Sequence, residues 1–257
     1  PRGARGGDRR VAVGACRPGR ADGARGLNVR VGVMLPVFQP TAERARSIAV
    51  AAEAAGLDGV FCFDHVWPLG QPARPAIAPF PVLAHVAGRT TQVALGPLVA
   101  RVALVPDGVL LAQFDALAVV APGRVIAGVG TGDRLSAGEN EAYGVPFTEA
   151  ATRREALREC VRALQARGIE VWVGDGTAET RQIAIDEGAV LNLWNATPDE
   201  VAEVARAAAV AGRGGVTWAG DASGPLGPLL ARLAEAGATW AVLAQPVDAG
   251  EVAASRP

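Results

Sequence analysis

Short apolar runs alternate with longer helix-periodic segments from residue 30 to residue 243, and this alternation limits the possible folds more than any other feature. It implies parallel strands joined by helical crossovers. The strand runs are predicted at 30–36, 59–63, 92–99, 125–129, 170–173, 189–194, 216–219 and 239–243. Thr41 is expected to cap the first helix, which ends near Gly56. Pro81 should open a second reaching Gly88, Asp107 should cap a third running to Val120, and Thr148 should start a long one ending before Gly168. Later helices run to Glu187, start at Thr197-Pro198-Asp199-Glu200 with a cap, a first-turn proline and acids, and span 226–236.

Eight strands alternating with eight helices fit a closed barrel better than an open sheet. The expected fold is therefore α/β, a compact (β/α)8 TIM barrel forming one domain over residues 28–257. Residues 1–27, rich in Arg, Gly and Ala, are expected to be a disordered N-terminal extension. The competing fold is a doubly wound sheet. Its Gly-x-Gly-x-x-Gly turn after the first strand is missing, because residues 36–40 fill that turn with prolines at both ends.

Composition narrows the chemistry. A net charge of −1 and the lack of a basic run interleaved with aromatics argue against nucleic acid, leaving a small-molecule partner. All 25 basic residues are arginine, so Schiff-base chemistry and lysine-held phosphates are excluded. Three scattered cysteines fit neither a disulfide framework nor a zinc site, and point to a reducing cytoplasm. No apolar run reaches the roughly 18 residues a membrane span needs, so no membrane role is expected. No Ser/His/Asp spacing, CxxC pair, HExxH or Walker loop supports hydrolytic or metal chemistry.

In a barrel of this kind the active site forms at the C-terminal ends of the strands. That rule gathers Asp64 and His65, Arg101, Asp133, Asp175 with Thr177, and Asn195 into one expected cavity. His65 can move a proton near neutral pH, and the competing reading is that it ties two loops together. Asp133, closing the glycine-rich run after the fourth strand, is a second acid/base, a hydrogen-bond acceptor for a substrate hydroxyl, or a capping residue. Glu139 and Glu141 are expected to face solvent or cap the next segment, and His85 to be structural. Trp172, Trp194, Trp218 and Trp240 fall in the last four strands, where filling the barrel core is the expected role of at least two. Trp67 could instead wall a flat cofactor or substrate.

With these residues in hand, the chain resembles the luciferase-like flavin and deazaflavin oxidoreductases, in particular the branch that uses coenzyme F420. The likeness covers residues 29–243. It is sharpest at Ala51-Ala-Glu-Ala-Ala-Gly-Leu-Asp-Gly-Val60 leading to Asp64-His65, at Pro122-Gly-Arg124, and at Gly128-Val-Gly-Thr-Gly-Asp133 with the block 139–147. The resemblance implies that Asp64 contacts the cofactor, that His65 is the active-site histidine and that Asp133 is its catalytic partner. It also implies a non-proline cis peptide at Leu98-Val99, contact positions at Arg101 and Ser136, a cofactor face at Gly130, Thr131 and Gly132, and a phosphate-side turn at Gly174, Asp175, Gly176 and Thr177. Residues 139–147 would form the rim, and dimers are the family's suggestion.

Departures accompany the likeness. The family's sugar-phosphate dehydrogenases use lysines that this chain lacks, and an insertion common before the fifth strand is missing. The expected function is an F420-dependent hydride transfer to or from a small organic substrate, with His65 as acid/base and Trp67 as a wall. An FMN-dependent monooxygenase and a non-catalytic F420- or ligand-binding barrel are the alternatives.

Overall fold

The computed structural model describes residues 29–65, 71, 73–222, 224–244 and 248–256. The extension expected at 1–27 and the wall expected at Trp67 lie outside the described residues. Strands β1 (Arg30–Leu35), β2 (Gly59–Cys62), β3 (Ala94–Pro97), β4 (Ala100–Arg101), β5 (Ile126–Gly130), β6 (Glu170–Gly174), β7 (Val190–Trp194), β8 (Gly215–Gly220) and β9 (Trp240–Leu243) form one parallel sheet. Its order is β3-β2-β1-β9-β8-β7-β6-β5-β4, so the first strand pairs with both the second and the last.

β3 and β4 are two halves of one barrel strand, separated by a cis Leu98-Val99 peptide. β3 bonds to β2 and β4 bonds to β5. The ring is completed where Leu95 bridges Val125 and the Leu95 N–H donates to the Arg124 carbonyl at 2.9 Å. Counted this way the barrel has eight strands, and the doubly wound alternative is excluded. The strand expected at 92–99 begins pairing later, at Ala94, and resumes beyond the cis bond at Ala100.

The strands are buried along almost their whole length, as a sheet covered on both faces requires. Inside the barrel, Phe61 stacks on Trp172 at 5.1 Å and Trp240 meets both rings edge-on. These rings close the N-terminal end, where Arg30 lies 4.5 Å over the Trp240 ring. Two tryptophans therefore do fill the core, and Trp218 is buried as well. Trp194 is not a core residue: it is 40% exposed at the end of β7.

Helices α1 (Glu43–Ala54), α2 (Pro79–Ala87), α3 (Asp107–Val120), α4 (Ser136–Ala142), α5 (Ala150–Gln165), α6 (Ala178–Glu187), α7 (Pro198–Ala211), α8 (Leu226–Glu235) and α9 (Ala249–Ala254) cover the outside or follow the strand ends. Thr197 and Glu200 form the capping box that their spacing predicts. Four starts differ from expectation, and one of them is α5, which opens at Ala150 after Glu149 rather than at Thr148. Thr41 makes no cap, since Ala42 occupies that position and Glu43 anchors the first turn through Arg46. α2 begins at Pro79 rather than Pro81, because first-turn N–H groups lack helical acceptors and both prolines fit there. Asp107 is the first helical residue after Pro106 and favours the positive end of the helix without capping it. Among the described residues, no helix is long and apolar enough to cross a membrane.

The lower rim is tied by two side chains. Arg124 donates to the Ala87 carbonyl and the Thr90 hydroxyl, both at 3.0 Å. Glu53 accepts the backbone N–H groups of Thr91, Gln92 and Val93 at 2.7 to 3.1 Å. Burial pushes the Glu53 carboxyl upward, but the backbone hydrogen bonds outweigh it and leave the group below the ordinary value of 4.5. A depressed folded-state pKa adds stability above the unfolded value and loses it as pH falls through the folded one. Urea midpoints measured on acidification below about pH 4.5 should therefore fall less steeply in Glu53→Gln than in the wild type. Equal slopes would remove Glu53 from the acid response.

Buried thiols give a second check. Burial pushes the Cys160 thiol up to about 12 and the Cys62 thiol well above the ordinary cysteine range. Since thiolate is the reactive form, both should resist a thiol dye at pH 8 in the native protein and react only after unfolding in guanidinium. Fast native labelling of either, located by peptide mapping, would contradict this burial.

Candidate active site

Most of the expected site residues lie at the C-terminal mouth of the barrel. Asp64 follows β2, and its carboxylate accepts the Arg101 backbone N–H at 2.9 Å, tying the β2 loop to β4. Burial pushes the Asp64 carboxyl upward, opposed by that hydrogen bond and by the Arg101 charge. His65 sits next to it, half-buried, with Nδ1 at 3.1 Å from the Glu139 carboxylate. Arg101 donates to the same Glu139 oxygen at 2.9 Å and to the Ser136 carbonyl at 3.3 Å.

Glu139 thus departs from the solvent-facing role expected of it, being fully buried beneath the mouth. The glycine-rich segment after β5 is not all loop. It contains α4, whose buried residues Ser136, Glu139 and Asn140 recur at i, i+3 and i+4 on one face. Because that face is polar, its helical period carries no hydrophobic signal; the spacing of polar residues was the available clue.

Asp133 lines the same cavity as His65 and also ties the start of α4. Its Oδ1 accepts the Ser136 N–H at 3.0 Å and the Ser136 hydroxyl at 3.1 Å, while the Asp133 N–H donates to that hydroxyl at 3.2 Å. The carboxylate secures the start of α4 and borders the cavity, and no hydrogen bond joins it to His65 among the described residues. Glu139 holds the position next to His65.

Asp64, His65, Leu98, Val99, Arg101, Gly130, Thr131, Gly132, Asp133, Ser136, Gly174, Asp175, Gly176 and Thr177 line one cavity of about 860 Å³. Asn195 is not among its walls. Its backbone turns back with φ of 52°, and its side-chain oxygen accepts the Asp221 N–H at 2.8 Å. Two of the glycines make room for Val99: a Cβ on Gly130 would lie 2.7 Å, and one on Gly174 2.9 Å, from a Val99 methyl. The residue after the cis bond is thereby seated against β5 and β6.

The cavity has walls that the strand-end rule missed. Phe38, Phe63 and Trp194 supply an aromatic side, with Phe63 and Trp194 in edge contact at 5.4 Å. Arg74, Arg134, Arg153 and Arg154 supply positive charge. Arg153, in the first turn of α5, donates to the Thr131 carbonyl at 3.0 Å and to the Thr148 carbonyl, and lies 3.9 Å over Phe147. The consecutive arginines at 153 and 154 were the visible signal, but they belong to a helix start rather than to a strand end.

A parallel eight-stranded barrel with a cis-interrupted third strand and a polar mouth defines a (β/α)8 ligand-binding architecture. The luciferase-like monooxygenase family model matches residues 26–167, more than half of the chain, and the chain belongs to that family. The F420-dependent glucose-6-phosphate dehydrogenase of Kineococcus radiotolerans is 32% identical over 173 residues, covering 67% of this chain and 47% of that protein. The enzyme of the same name from Beutenbergia cavernae is 37% identical over 128 residues, 49% of this chain and 36% of that one. The chain spans less than half the length of both relatives. Among solved structures, an F420-dependent secondary alcohol dehydrogenase in complex with an F420-acetone adduct superposes with a TM-score of 0.71 at 14% identity, covering 89% of this chain and 97% of that one. At that identity the likeness supports the fold.

Proposed function

We propose that the chain is an F420-dependent oxidoreductase that passes a hydride between the deazaflavin and a small organic substrate, with His65 moving the accompanying proton. The observation that carries this reading is His65 itself, held by Glu139 through Nδ1 at the wall of the barrel-mouth cavity. Its Nε2 is then the nitrogen left to exchange a proton with a substrate hydroxyl or carbonyl. The F420-dependent relatives favour the deazaflavin over FMN in this reading.

The residues present fit such a cofactor. A volume of about 860 Å³ lies within the usual range of ligand pockets. The Leu98-Val99 edge and the Gly130-Thr131-Gly132 strip offer a flat apolar and backbone surface against β4 and β5. Arg153, Arg154 and the start of α6 at Thr177 offer positive potential to an anionic tail. When bound, the deazaflavin supplies a carbon that takes or gives a hydride while reacting poorly with oxygen. Asp64 and Arg101 keep the β2 loop and β4 in register, and Phe63 and Trp194 exclude water on the aromatic side.

We read the substrate as a small alcohol, carbonyl or imine; with no lysine in the chain, a sugar phosphate would have to be held by arginines of the cavity. The purified protein should be titrated with F420 and with FMN, and F420 fluorescence then followed across a panel of alcohols, enones and imines, with glucose 6-phosphate included. Tighter F420 binding and a substrate-dependent fluorescence change are expected. Preference for FMN with oxygen-dependent product would overturn the proposal in favour of a monooxygenase. Tight F420 binding without redox change on any substrate would mark a non-catalytic barrel.

A further inference from the structure

We infer that Glu139 is a positioning residue, which fixes the His65 tautomer with the proton on Nδ1 and so keeps the Nε2 lone pair directed to the cavity. This rests on the reading of His65 as the proton carrier. The geometry is specific. One carboxylate oxygen of Glu139 lies 3.1 Å from Nδ1 and 2.9 Å from an Arg101 nitrogen, and a carboxylate can only accept at both places. Neutral imidazole facing it must therefore donate from Nδ1. Glu139 is fully buried and Arg101 is 5% exposed, so neither can turn to solvent for other partners without leaving a charge uncompensated.

Arg101 completes the device. The guanidinium and the imidazole share one oxygen of Glu139, so the carboxylate is itself held in place while it orients the ring. Among the described residues, other charged or titratable groups near this cluster are Asp64, which precedes His65, and Tyr143, at the end of α4. Phe63 approaches the imidazole on its apolar side, with ring centres 6.3 Å apart.

Glu139→Gln reverses the arrangement with little change of shape. Arg101 will take the amide oxygen, turning the amide N–H2 toward His65; Nδ1 must then accept, and the proton moves to Nε2. The chain contains two histidines, so long-range proton-nitrogen spectra resolve both, and His85→Asn assigns them. In the neutral form of His65 the proton is expected on Nδ1 in the wild type. In Glu139→Gln it should shift to Nε2. A wild-type signal from the Nε2 tautomer would overturn the inference without any variant, as would an unchanged tautomer in a Glu139→Gln protein that retains its thermal midpoint.

With an F420-linked substrate, kcat should fall about 10²-fold with KM nearly unchanged. Failure to reduce F420 with any substrate would sink the functional reading instead. The nitrogen spectra of the ligand-free protein decide the tautomer in either case.

Discussion

His65→Ala should lower turnover by about 10² or more while F420 affinity stays within a few-fold. Binding is expected to survive because the surfaces assigned to the cofactor lie elsewhere, on the Leu98-Val99 edge, the glycine strip and the arginines of α5. The frame should survive too. Asp64 retains its bond to the Arg101 N–H, and Glu139 retains Arg101, so removing the imidazole leaves no lone buried charge. What disappears is the proposed proton carrier at the cavity wall. His85→Ala is the control. That ring is half-exposed on α2, 3.8 Å from a Glu43 oxygen, and its loss should leave turnover unchanged. Stopped-flow measurement of F420 reduction separates the hydride step from binding, and wild-type turnover in His65→Ala would remove the proposed role.

The barrel was readable because its strands are buried on both faces, so runs such as 31–35 in β1 and 126–130 in β5 carry no polar side chain. Once eight such units are recognised, topology assigns Asp64, His65 and the glycine turns of β5 and β6 to one mouth, where the structure has them. The same rule misplaced Asn195, because a strand-end position does not foresee a backbone that turns away with positive φ. Glu139 was hidden for a different reason. Its helix buries polar residues against Arg101 and His65, and hydrophobic periodicity is silent about a face held by charge. Trp194 was hidden by its company, as one of four strand tryptophans whose companions are buried.

The largest loss of stability is expected from Gly96→Ala and Gly128→Ala, which test how the barrel closes. An added Cβ on Gly96 would fall 1.8 Å from the Ile126 carbonyl oxygen, and one on Gly128 would fall 2.2 Å from the Pro97 oxygen. Both obstacles are backbone, so relief requires β3 and β5 to separate. Between those strands the seam is held by the Leu95–Val125 bridge rather than by a continuous ladder, and it has little reserve against such a wedge. Overpacking of this kind costs about 3 kcal/mol or more, a large share of a typical domain's 5 to 15 kcal/mol. Gly108→Ala is the opposite control. Nothing lies within 4 Å of an added Cβ there, and alanine in α3 should be neutral or stabilising by up to about 1 kcal/mol. Urea midpoints of the three variants give the comparison, and a Gly96→Ala protein as stable as the wild type would mean that β3 and β5 do not approach as described. The consequence reaches the site, because Val99 is seated against Gly130 and Gly174 and is followed within two residues by Arg101. A wedge in this seam should therefore weaken F420 binding in whatever fraction still folds, whereas Gly108→Ala should leave it unchanged.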